Sequence, residues 1–138
     1  MGSSVSQGKP PPISSEGHGK RILVVDDSDL LRRVVRTFLE RLGYVCGEAA
    51  DGAEAITKAR ESKPDLIVMD LAMPGMNGVE ATSEIRSMMP KLPIIAFTMY
   101  ETLANSMTSS LTFSSIVSKP DGITKLADCI QRVLGTAS

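Results

Sequence analysis

From Lys20 onward, short unbroken apolar runs alternate with stretches whose apolar positions recur every three or four residues. Ile22-Leu23-Val24-Val25 has no polar break, as a parallel strand buried on both faces requires. Leu30, Leu31, Val34, Val35, Phe38, Leu39 and Leu42 follow at helical spacing. Ser28 or Asp27 can cap that helix, and Gly43 ends it. Tyr44-Val45-Cys46 predicts a second strand. Gly52 to Ser62 predicts a short helix with Ala55, Ile56 and Ala59 inward, broken by Pro64. Leu66-Ile67-Val68-Met69 predicts a third strand ending at Asp70, followed by the turn-rich stretch from Met73 to Gly78. Val79 to Met89 predicts a helix that Pro90 stops, and Ile94-Ile95-Ala96-Phe97 a fourth strand ending at Thr98. Between Tyr100 and Ser115, Leu103 and Met107 predict a weak helix among many Ser and Thr residues. Ile116-Val117-Ser118 predicts a fifth strand ending at Lys119-Pro120. Ile123, Leu126, Ala127, Ile130, Val133 and Leu134 give the last helix a clear apolar stripe.

Five strands alternating with five helices predict an α/β fold, a parallel sheet covered on both faces with right-handed crossovers. In such sheets the site lies outside the carboxyl ends of the strands. That rule selects residues without an alignment: Asp26 and Asp27 after the first strand, Asp70 after the third, Thr98 after the fourth and Lys119 after the fifth. Each has an ordinary reading alone, the two aspartates as helix caps, Thr98 as a strand-end residue and Lys119 as a solvated charge. Their joint placement on one edge calls for chemistry. Clustered carboxylates repel unless a cation joins them. Oxygen donors without histidine select a hard cation, Mg2+ before Zn2+. Asp70 can then act as a nucleophile that forms an aspartyl phosphate. Mg2+ and Lys119 would neutralise charge on the transferred oxygens, and Thr98 can donate a hydrogen bond to one of them. No separate general base is needed when the nucleophile is already ionised.

Composition narrows the alternatives. The chain has 138 residues, 42% hydrophobic and 22% charged, which suits one domain with a real core. A net charge of −1 makes no bulk case for nucleic acid or membrane. No apolar run approaches the ~18 residues of a membrane span, and the N-terminus lacks the apolar core of a signal peptide. Cys46 and Cys129 form no paired motif and read as free, buried thiols of a reducing, cytoplasmic compartment. His18 is the sole histidine, which argues against a His-based metal site or a Ser/His/Asp triad. Residues 1–19, rich in Ser, Gly and Pro, predict a disordered tail, with the folded domain over 20–138.

Val24-Val25-Asp26-Asp27-Ser28, the stretch Asp70-Leu71-Ala72-Met73-Pro74-Gly75-Met76-Asn77-Gly78, Thr98 and Lys119-Pro120 together resemble the response-regulator receiver family. The resemblance covers about residues 20–134. It implies a flavodoxin-like (CheY-like) doubly wound sheet of five parallel strands in the order 2-1-3-4-5 with five helices. It implies Asp70 as phosphoacceptor, and Asp27, Asp26 and the backbone carbonyl of Ala72 as further ligands of Mg2+ beside Asp70. Lys119 matches the phosphate-pairing lysine and Thr98 the switch hydroxyl. Pro120 matches a position where the family often has a cis bond after the lysine. The implied phosphodonor is a histidine kinase or a histidine phosphotransfer protein. The sequence departs from the family at Ile116, where an aromatic is frequent, at Met99, where a small residue is usual, and over Leu111–Ser115, which replaces a Gly-containing turn.

The expectation is a phosphoacceptor switch rather than an enzyme, acting on a separate downstream protein or passing the phosphate onward, as a monomer or a phosphorylation-dependent dimer. Two other readings compete. Aspartate-nucleophile phosphohydrolases also use Mg2+ and a parallel sheet, but carry Asp-x-Asp after the first strand, where this chain has adjacent Asp26-Asp27. A pseudo-receiver would keep the fold as a protein-binding module without phosphate control; the intact acidic set opposes it.

Overall fold

The computed structural model describes residues 17–71, 78–99 and 113–135. Five parallel strands, β1 (Arg21–Val25), β2 (Val45–Ala49), β3 (Leu66–Met69), β4 (Ile94–Thr98) and β5 (Ser115–Ser118), pair in the order β2-β1-β3-β4-β5. Four α-helices are described: α1 (Asp29–Arg41), α2 (Gly52–Ser62), α3 (Gly78–Met88) and α4 (Ile123–Leu134). A single 3-10 turn, Lys119–Asp121, follows β5. The helix expected between Tyr100 and Ser115 falls outside the described residues up to position 112, and Ser115 itself starts β5. No described helix is long and apolar enough to cross a membrane.

Alternation along each strand divides the core into two layers. Ile22, Val24, Leu66, Val68, Ile95, Phe97 and Val117 face Val35 and Leu39 of α1 and Leu126 and Ile130 of α4. Leu23, Val25, Ile67, Met69, Ile94 and Ala96 face Ala55 and Ala59 of α2 and Ala81 and Ile85 of α3. Both faces are thus covered, and the unbroken apolar runs follow from that. Cys46 and Cys129 are buried.

The structure corrects one detail. The second strand does not stop at Cys46 but runs to Ala49. Gly47 and Glu48 resemble a turn in sequence, yet β2 is an edge strand, and an edge strand tolerates polar residues. The stripe of α1 is also wider than the core it covers. Val35 and Leu39 are buried and Leu31, Phe38 and Leu42 half-buried, but Leu30 is 75% and Val34 48% exposed. Successive residues advance about 100° around a helix, so seven apolar positions overrun the arc that one sheet face can cover.

Local chemistry sets the helix ends. Ser28 caps α1 by accepting from the Leu31 amide at 3.2 Å. Asp51 caps α2 by accepting from the Glu54 amide, while the Glu54 carboxylate reaches back to accept from the Ala50 amide, one residue before the cap. Gly17–Gly19, which the sequence places in the tail, form a turn tied to the end of α1: the Gly17 amide donates to the Leu42 carbonyl and the Gly19 amide to the Gly43 carbonyl. Residues 1–16 of that expected tail lie outside the described residues.

Glu48 joins the edge strand to α1. It accepts from Arg32 Nε and Arg36 Nη1, both at 2.7 Å. Burial pushes its carboxyl up, but the hydrogen bonds and charges of Arg36 and Arg32 outweigh burial and hold it below the ordinary range. A group with a lowered folded pKa stabilises the fold above its unfolded value, ~4.3, and loses that contribution as pH falls through the folded value. In urea unfolding at pH 7, Glu48→Gln should cost about 1–3 kcal/mol. Its stability should then fall less steeply than the parent's as pH drops below about 4.3.

Candidate active site

Sheet register brings the acidic residues together. Val25 pairs with Met69, so Asp26 and Asp70 are the next residues on adjacent strands. Both keep the ladder for one more step: the Asp26 amide donates to the Ala49 carbonyl at 3.1 Å and the Asp70 amide to the Val25 carbonyl at 3.0 Å. Their backbones are therefore as rigid as the strands they extend. Oxygens of Asp26, Asp27 and Asp70 all lie within 4.8 Å of one another. Asp26 and Asp70 are buried, while Asp27 is exposed.

Thr98 closes β4 and pairs with Ser118, so Lys119 starts one residue beyond that pair. The Lys119 ammonium donates to Asp26 Oδ2 at 2.8 Å and to Asp70 Oδ2 at 3.3 Å. Burial pushes this ammonium down, but the hydrogen bond to Asp26 and the charges of Asp70 and Asp26 outweigh burial and keep it above the ordinary lysine range. Lys119 is thus a fixed cation across the site. The expectation of a cis bond at Pro120 does not hold: Lys119–Pro120 is trans, since no described peptide bond is cis. The lysine reaches inward without it, from the first position of the 3-10 turn.

Of the predicted site residues, the structure gathers Asp26, Asp27, Asp70 and Lys119 and places Thr98, fully buried, at the neighbouring strand end. Ala72 and the loop to Asn77 lie outside the described residues. Sequence reasoning missed two positions. At Gly78 a Cβ would stand 2.0 Å from the Asp70 carbonyl oxygen and 2.6 Å from Leu71 Cα, so only glycine lets α3 begin against the Asp70 backbone. The Gly78 amide donates to the Leu71 carbonyl and closes the loop. The other is Arg32, which carries a charge between the core-facing neighbours Leu31 and Val35 and reaches the Asp26 carbonyl. A charge at such a helical position is the signal that a buried partner must exist.

The donor set fits a hard divalent cation. Its donors are oxygens, close enough to share one ion. Three carboxylates and one ammonium leave two negative charges to cancel.

The chain is similar to known proteins over most of its length. The family model for the response regulator receiver domain matches residues 22–131. The chain is 36% identical to protein CcdB of Bacillus subtilis over 117 residues, 83% of this chain and 98% of that protein. It is 45% identical to the chemotaxis protein CheY of Thermotoga maritima over 78 residues, 56% of this chain and 65% of that protein. Against the staphylococcal response regulator VraR the match spans 39% of the relative's length. Among solved structures, the receiver domain of a Pseudomonas aeruginosa sensor histidine kinase superposes with a TM-score of 0.77 at 31% identity, over 85% of this chain and 98% of that one. That structure holds a magnesium ion coordinated in its active-site cleft.

Mg2+ should stabilise this protein by about 2.7 kcal/mol at a hundredfold excess over Kd, seen as a higher thermal unfolding temperature. Asp27→Ala and Asp70→Asn should remove most of that response. A Mg2+ response that survives both changes would place the ion elsewhere.

Proposed function

The chain belongs to the response regulator receiver domain family, and we propose that it accepts a phosphoryl group on Asp70 from a phosphohistidine donor and thereby switches its affinity for a partner protein. The observation that carries this reading is the Asp70 carboxylate, buried at the strand end with the Lys119 ammonium 3.3 Å away and two further carboxylates beside it.

Each residue has a role. An oxygen of Asp70 forms a new P–O bond while the donor's P–N bond breaks, and the imidazole leaves with the electron pair. Lys119 meets the charge that builds on the transferred oxygens, and burial strengthens that attraction. Asp26, Asp27, Asp70 and the Ala72 carbonyl would hold Mg2+, which supplies further charge cancellation at those oxygens. The Thr98 hydroxyl donates to a phosphoryl oxygen once the group has arrived. The added charge and acceptor oxygens then bias a two-state element, with Thr98 drawn toward the phosphoryl group and the chain after β4 following it. Receivers act with histidine kinases and downstream effectors, and this chain would draw its phosphodonor and its target from those classes.

Met99 follows Thr98 directly and is 61% exposed, where the family usually has a small residue. Its side chain would cover the phosphoryl group and slow attack by water.

Incubation with Mg2+ and a small phosphodonor should add one phosphoryl group by intact mass to the parent and none to Asp70→Asn. Equal addition to both proteins would remove Asp70 as the acceptor. In the phosphorylated protein, Met99→Ala should lose the group several-fold faster than the parent; an unchanged decay would discard the shielding role.

A further inference from the structure

Arg32 lies inside α1, yet its side chain is only 11% exposed. Its guanidinium divides its donors among three acceptors. Nη1 donates to the backbone carbonyl of Asp26 at 2.7 Å, Nε to Glu48 Oε1 at 2.7 Å, and Nη2 to Asp29 Oδ1 at 2.6 Å. The first contact is the informative one. The Asp26 carbonyl belongs to the peptide plane that links Asp26 to Asp27. Its orientation sets where the Asp27 side chain begins. The Asp26 side chain is held separately, by the Ser28 amide at 2.9 Å and by Lys119 at 2.8 Å. Arg32 is in turn held by Glu48, which Arg36 grips from the next helical turn.

Resting on the metal reading above, we infer that Arg32 is a positioning residue for the acidic edge: its guanidinium fixes the Asp26–Asp27 peptide so that the Asp27 carboxylate is aimed at the same cation as Asp26 before that cation binds. A partner of this kind touches neither ion nor phosphate. It acts by limiting how far the ligands can wander, and the loss of such outer partners typically weakens metal binding about 10–100-fold. A guanidinium suits the task because its planar fork spans three acceptors in fixed directions, which an ammonium cannot do.

The bland alternative is that Arg32 merely ties α1 to β2, and Arg36 distinguishes the two. Arg36 shares Glu48 but does not touch Asp26. Mg2+ binding by calorimetry on the full chain should weaken about tenfold or more in Arg32→Met and stay close to the parent in Arg36→Met. In metal-free protein, hydrogen exchange at the Ser28 amide should quicken in Arg32→Met and not in Arg36→Met. If Arg32→Met does not fold, Arg32→Lys keeps the charge and should still weaken Mg2+ binding. A folded Arg32 variant with parental Mg2+ affinity and parental Ser28 exchange would overturn the inference. So would equal weakening by Arg36→Met, which would mean general loosening of α1. If the parent itself takes up no Mg2+, the metal reading falls, and Ser28 exchange alone decides whether Arg32 orders the loop.

Discussion

Lys119 stands between the carboxylates of Asp26 and Asp70, and the arrangement of the sheet makes that contact possible. Three like charges on one edge would drive the strand ends apart if nothing stood between them. The ammonium offsets part of that repulsion while remaining a donor. It can do so because β1 and β3 are adjacent and β5 brings Lys119 to the same edge. The position of the cation is thus a property of strand order. Removing one partner of such a buried set leaves the others desolvated and unmatched, which costs more than the set contributes when complete.

The same edge draws on both helical layers. On one side α1 carries Arg32 to the Asp26 carbonyl. On the other, α3 begins at Gly78 against the Asp70 backbone. The acidic edge is therefore clamped by a charged grip on the backbone after β1 and by the absence of a side chain beside the Asp70 backbone. Exposed Leu30, one position into α1, keeps an apolar surface beside this edge.

Much of this was legible in the sequence because a buried parallel strand has an unmistakable pattern. Ile22–Val25, Leu66–Met69 and Ile94–Phe97 allow no polar interruption, and the residue after each run falls on the site edge. The edge strand was misread because Gly47 and Glu48 break that pattern, and Glu48 is polar for a reason seen only in three dimensions: it answers Arg32 and Arg36. The apolar stripe of α1 is wider than its buried face, since periodicity locates a face but not its width. Gly78 looked like a turn residue, whereas its role is steric and depends on the Asp70 carbonyl eight residues earlier. Nor did the inward aim of Lys119 need the expected cis bond.

Ninety-three residues separate Lys119 from Asp26 along the chain. On a ribosome the acidic residues of β1 and β3 exist long before the lysine does. Until β5 is made and seated, the carboxylates of Asp26 and Asp70 stand without that ammonium. The charge balance of the acidic edge is thus completed by topology in time as well as in space. A half-made copy carries the three carboxylates but lacks the ammonium that balances them, so only a finished sheet presents the complete site.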